Sequence, residues 1–142
     1  MSSDPHHLQR FLDAQAPTYT QARAELAAGE KRTHWMWFIF PQIRGLGSSP
    51  MAQRYAIQSI EEARAYLAHP ILGERLRACT ALVLAVQGKA IADIFGYPDD
   101  LKFHSSITLF AKADDGDDSV FQQALARYFH HKQDAATLAL LG

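Results

Sequence analysis

His34-Trp35-Met36-Trp37-Phe38-Ile39-Phe40-Pro41-Gln42 is the stretch whose reading decides the fold. Its six consecutive apolar residues, Trp35 to Phe40, would form a buried strand or a short buried helix, and periodicity does not separate the two. We read it as helix, because the sequence around it is helical and Pro41 stops it. Downstream, Gly45, Gly47, Ser48, Ser49 and Pro50 mark a loop of the kind that carries function, and Met51 to Ile57 add a helical turn or two.

The flanking segments repeat at helical spacing. Ile71, Leu72, Leu76, Cys79, Val83 and Val86 recur three and four residues apart as far as Gly88, which makes this the plainest core helix. Ser59 with Glu62 has the form of a capping box, and the helix it opens runs through Ala63, Tyr66 and Leu67 to His69-Pro70. Asp4-Pro5 reads as N-cap and first helical position of a helix through Leu8, Phe11 and Leu12 that Pro17 ends. Thr18 with Gln21 opens another, with Tyr19, Ala22 and Leu26 as its stripe and Gly29 at its end. Ala90 to Phe95 is a short candidate closed by Gly96. Pro98, Asp99 and Asp100 then start a helix whose stripe is Phe103, Ile107 and Phe110. Beyond the acidic loop Asp114–Asp118, Ser119 with Gln122 opens a helix carrying Phe121, Leu125 and Tyr128, and Asp134 caps a last one through Leu138 and Leu141. The expected architecture is all-α, a single domain over residues 1–142 built as an orthogonal array of seven or eight helices.

Composition narrows the function classes. A chain of 142 residues with 48% apolar and 20% charged residues has enough apolar material for one core. The net charge of -1 supplies no positive field to recruit duplex nucleic acid. No apolar run reaches the roughly 18 residues of a membrane span, and Met1 to Arg10 lacks the pattern of a secretory signal. Cys79 is the single cysteine, so no internal disulfide forms. A cytoplasmic protein is expected. No phosphate-binding glycine loop, dinucleotide motif or zinc signature is present, and the adjacent pairs His6-His7 and His130-His131 point apart on a helix, so no metal or cofactor is expected.

Two stretches carry groups capable of chemistry. Around the aromatic run, Lys31, Arg32, His34 and Gln42 add cations, an imidazole and an amide, a mixture able to stack a planar ring and orient it. Core packing is the competing reading for Trp37, Phe38 and Phe40. In Lys102-Phe103-His104-Ser105-Ser106, a helix brings one ammonium and two hydroxyls together, which makes an anion grip. A Ser–Lys catalytic pair would need a desolvated lysine, and back-bonded helix hydroxyls are the plainer alternative. From Glu30 to Arg54 four cations face one carboxylate, a local balance of +3, whereas seven aspartates against two lysines give -5 from Asp93 to Asp118. A phosphate or carboxylate would be drawn to the first region. His69 before Pro70 reads as a cap or packed imidazole, and Cys79 as an inert core thiol.

The strings His34–Gln42, Ser49–Tyr55, Tyr66-Leu67 with His69-Pro70, Leu72-Gly73, Arg75-Leu76, Asp99–Lys102, Ser105-Ser106 and Thr108–Phe110 together resemble the bacterial family catalogued as domain of unknown function 1810, over nearly the whole chain. The resemblance implies a small, stand-alone, mainly helical protein without an assigned activity. The calpastatin label given to some members does not fit, since calpain inhibitors of that name are long disordered chains and this one has a core-forming pattern. The layout is also similar to a helical family that processes ADP-ribose derivatives, which implies a nucleotide-like ligand. The expected site is a pocket of His34, Trp35, Gln42, Arg54, Tyr55, Lys102, Ser105 and Ser106 that binds a small anionic, ring-bearing metabolite. Trp35 or Tyr55 would stack the ring, Arg54 and Lys102 would hold the phosphate, and His34 would be the acid or base of any hydrolysis. The rival is a protein-interaction module that exposes segment 34–42 to a partner.

Overall fold

The segment 35–40 is a single helical turn that unwinds before Pro41. In the computed structural model, which describes residues 4–116 and 118–142, Met36–Ile39 form this turn, and Trp35, Met36, Phe38, Ile39 and Phe40 are all buried. Burial on nearly every side explains why the run shows no period: only Trp37 is partly exposed. Met1–Ser3 and Asp117 of the acidic loop lie outside the described residues.

Among the described residues the chain is all-helical, with ten helices where seven or eight are expected. In order they are α1 (Gln9–Gln15), α2 (Tyr19–Ala28), α3 (Met36–Ile39), α4 (Pro50–Arg54), α5 (Ile60–Ala68), α6 (Leu72–Ala85), α7 (Ile91–Phe95), α8 (Asp99–Ala113), α9 (Val120–Phe129) and α10 (Ala135–Leu141). All ten fall in segments that read as helical or as a helical turn; the lower expected number leaves some of the short turns, such as α3, α4 and α7 of four or five residues each, uncounted as helices.

The long helices follow their patterns. In α6 the buried Leu72, Leu76, Cys79 and Val83 fall at spacings of four and three. Helix α8 is buried all round from Ser105 to Ala111 and packs against α5, α7, α9 and α10, so it forms the axis of the fold. Helices α5 and α6 approach so closely that a Cβ at Gly73 would lie 2.1 Å from the Leu67 carbonyl oxygen. The His69 ring joins the two, its Nδ1 accepting from the N–H groups of Ile71 (3.1 Å) and Leu72 (3.2 Å). His69 is therefore a cap.

Three N-terminal caps form as the sequence indicates: the side-chain oxygens of Ser59, Ser119 and Asp134 accept from the N–H groups of Glu62, Gln122 and Thr137, and Ser49, which the sequence marks only as loop, caps α4 through Ala52 N–H. Two starts differ. Asp4 accepts from Leu8 and Gln9, so α1 begins at Gln9, later than the Asp4-Pro5 signal implies. Thr18 makes no cap bond, because Gln21 turns away and donates to Glu25 at 2.9 Å.

One loop lies outside this helical packing and bears on function. Residues 42–49 and 55–58 are joined by an isolated parallel bridge between Ile43 and Ile57, in which Ile57 N–H donates to the Gln42 carbonyl and Arg44 N–H to the Ile57 carbonyl, both at 2.8 Å. From the other side Arg10 clamps the chain. Its guanidinium donates to the carbonyls of His6, His7, Arg54 and Ala56 and to the buried Glu62 carboxylate at 2.8 Å.

Candidate functional site

Gln42, Lys102 and Ser105, far apart in sequence, line one cleft of about 470 Å³. The loop contributes Gln42, Leu46, Gly47, Ser48 and Ser49, the start of α8 contributes Leu101, Lys102 and Ser105 behind Pro98, and the start of α10 contributes Asp134 and Ala136. Ser105 and Lys102 meet because they lie three residues apart on α8. Ser105 Oγ donates to Asp134 Oδ2 at 2.8 Å, and the same oxygen accepts from the hydroxyl (2.5 Å) and N–H (3.3 Å) of Thr137. Asp134 is thus held in place, with Oδ1 taking no bond among the described residues.

The Lys102 ammonium lies 5.4 Å from the centroid of the half-buried Trp37 ring and 3.4 Å from Asp99 Oδ1. Asp99 is shared: its Oδ2 takes Lys31 Nζ at 2.8 Å. Two ammoniums share one carboxylate, so Lys102 is not fully neutralised by Asp99, while Asp134 adds a carboxylate across the cleft.

The other expected site residues lie elsewhere. The Trp35 indole is completely buried between Phe40 and Phe95 and donates through Nε1 to Glu25 at 2.9 Å, so neither face is open to a ligand. Tyr55 is buried against Phe11 and Phe38. Ser106 faces the core with no hydrogen-bond partner among the described residues. Arg54 is exposed in a separate shallow hollow with Arg10 and Gln58. His34 is exposed and does not line the cleft. The stacking expected of Trp35 and Tyr55 therefore has no surface here: consecutive apolar residues were driven inward by the core they complete.

A second hollow of about 430 Å³ adjoins the cleft and shares Gln42, Gly47 and Ala52 with it. Arg44, Gln53, Ala56 and Gln58 complete its walls together with Ile43 and Gly45. Gly47 is needed at the shared wall, since a Cβ there would come within 2.6 Å of the Ala52 methyl.

Sequence reasoning passed over several groups at the cleft. Asp134 was legible only as a helix cap. Leu101, exposed at 53%, lies off the Phe103-Ile107-Phe110 stripe, and that off-face apolar position was the signal available. Tyr97, next to the cleft residue Pro98, is 81% exposed. Cys79 is fully buried, and burial raises its thiol to about 11, so it is not a nucleophile. Among the described residues, no cluster of three or more His, Cys, Asp or Glu is placed to hold a metal ion, and no helix is long and apolar enough to cross a membrane.

A protein-family profile described as protein of unknown function (DUF1810) matches residues 5–141. Among solved structures, the conserved hypothetical protein Rv1873 from Mycobacterium tuberculosis is similar at 58% identity, with a TM-score of 0.95 over 97% of this chain and 98% of that one. No curated protein matches. With its sequence matched almost end to end and its fold shared with that relative, the chain belongs to the DUF1810 family.

Proposed function

We propose that this protein binds a small metabolite bearing an anionic group and a ring, of nucleotide or sugar-phosphate size, in the cleft lined by Gln42, Lys102 and Ser105. The observation that carries the reading is the convergence of these three polar side chains, from distant parts of the chain, on one cleft of ligand size. Lys102 supplies the charge that attracts the anion and the Gln42 amide orients it, while Ser105, whose proton goes to Asp134, offers a lone pair to a ligand hydroxyl. Leu46, Pro98 and Leu101 offer an apolar wall for the ring, with the exposed Tyr97 beside it. This wall takes the role first expected of Trp35 and Tyr55.

The reading is of binding without a reaction. His34 does not line the cleft, and Asp134 is held by Ser105 and Thr137. An interaction module built on segment 34–42 is the weaker reading, because Trp35 is buried and Trp37 lies under Lys102.

Thermal unfolding with adenine nucleotides and sugar phosphates tests the proposal. A ligand at ten times its Kd stabilises by about 1.4 kcal/mol, a rise in Tm of about 4 °C. Lys102→Gln would remove that rise while leaving the unliganded Tm within about 1 °C. No rise with any compound at millimolar concentration would sink the proposal.

A further inference from the structure

The cleft contains Asp134, whereas the lining of the hollow beside it contains no carboxylate. Its single charged group is Arg44, whose guanidinium makes no ion pair and no hydrogen bond among the described residues, although every other arginine bordering these loops is engaged or stacked on a ring. Three primary amides accompany it. Among the described residues Gln42 makes no side-chain hydrogen bond, Gln53 uses only its NH₂, donating to the Ser48 carbonyl at 2.8 Å, and Gln58 has only a 3.5 Å contact to the Ala56 carbonyl. A guanidinium fork matches the two oxygens of a carboxylate or phosphate, and neutral amides satisfy the remaining lone pairs without opposing charge.

The walls are preformed. The Ile43–Ile57 bridge ties one wall to the other, and Arg10 fixes the carbonyls of Arg54 and Ala56 behind it, so the loop needs no ordering when a ligand arrives. We infer that this hollow is an oxyanion site, in which Arg44 with the amides of Gln42, Gln53 and Gln58 holds the carboxylate or phosphate of a small polar metabolite. The site shares Gln42 with the Lys102 cleft but rests on Arg44, and failure of nucleotides to bind in that cleft leaves it standing.

The test is a titration of the ¹⁵N-labelled protein with inorganic phosphate and, separately, with acetate, at ionic strength held constant by chloride, followed by NMR. Expected are saturable shifts of the Arg44 Nε–H and of the side-chain amides of Gln42, Gln53 and Gln58 with at least one anion, and which anion acts identifies the group recognised. Arg44→Gln would weaken binding about tenfold or more, as loss of a charge-assisted pair does. Its backbone spectrum away from the loop, unchanged, would show that it is folded. Lys112→Gln, at an exposed cation that lines neither hollow, would change the affinity by less than about twofold. Absence of saturable shifts with both anions, full binding by Arg44→Gln, or loss of binding in Lys112→Gln would each overturn the inference.

Discussion

Two polar regions lie within a few residues of each other in sequence and are built to opposite ends. Around Glu25, Thr33 and Trp35, each donor has an acceptor: the buried carboxylate receives the Gln21 amide, the Arg32 and Thr33 N–H groups, the Thr33 hydroxyl and the Trp35 indole N–H. Around Gln42, Arg44 and Gln58 the side chains are half-buried or exposed, and among the described residues they have almost no protein partners. The comparison teaches that residue type does not tell a structural polar group from one free to bind a ligand. Whether its hydrogen bonds are already used does.

The largest effect should come from breaking the satisfied region. Glu25→Ala removes one acceptor from five donors and leaves the Trp35 N–H buried without a partner, which we expect to cost about 4 kcal/mol and lower the Tm by more than about 10 °C. Circular dichroism melting measures it. A loss as small as that of Arg44→Gln would erase the distinction between the two regions.

Next in size is an acid effect. Burial alone would raise the Glu25 carboxyl, but hydrogen bonds from the Thr33 hydroxyl, the Arg32 and Thr33 N–H groups and Gln21 outweigh it and lower the value from 4.5 to about 2. Because the folded value lies below the unfolded one, this stabilisation is complete above about pH 4.5 and is lost as pH falls toward 2, with a total of about 3 kcal/mol. Urea unfolding between pH 6 and 2.5 should show the decline in the wild type, and the decline should be flatter in Glu25→Gln. Equal slopes would place the acid sensitivity elsewhere.

The smallest effect compares neighbours on α8. Ser105→Ala loses the bond to Asp134 and should cost about 1 kcal/mol, whereas Ser106→Ala removes a hydroxyl that has no partner and should be neutral or slightly stabilising. Chemical denaturation of the pair would show whether hydrogen-bond satisfaction predicts stability at single-residue scale.

The same distinction explains what was legible beforehand. The long helices could be read because Leu72, Leu76, Cys79 and Val83 declare a face, and the caps at Ser59, Ser119 and Asp134 because their partners are local. The single turns α3, α4 and α7 declare no face. At the site, Gln42, Lys102 and Ser105 could be proposed from residue type and spacing. The burial of Trp35 could not, since its partner Glu25 lies ten residues upstream across a loop and competes with the capping pattern of Thr18 and Gln21. Arg44 was visible only as one charge in a basic stretch, because its isolation is a property of the fold.

The Arg10 clamp has a consequence for kinetics. A loop fastened at both flanks cannot swing as a lid, so passage of a small molecule into either hollow requires only side-chain rotation, which takes picoseconds to nanoseconds at exposed positions. Association there would approach the diffusional rate for a static, open receptacle, and residence would be governed by contact strength alone rather than by the opening of a gate.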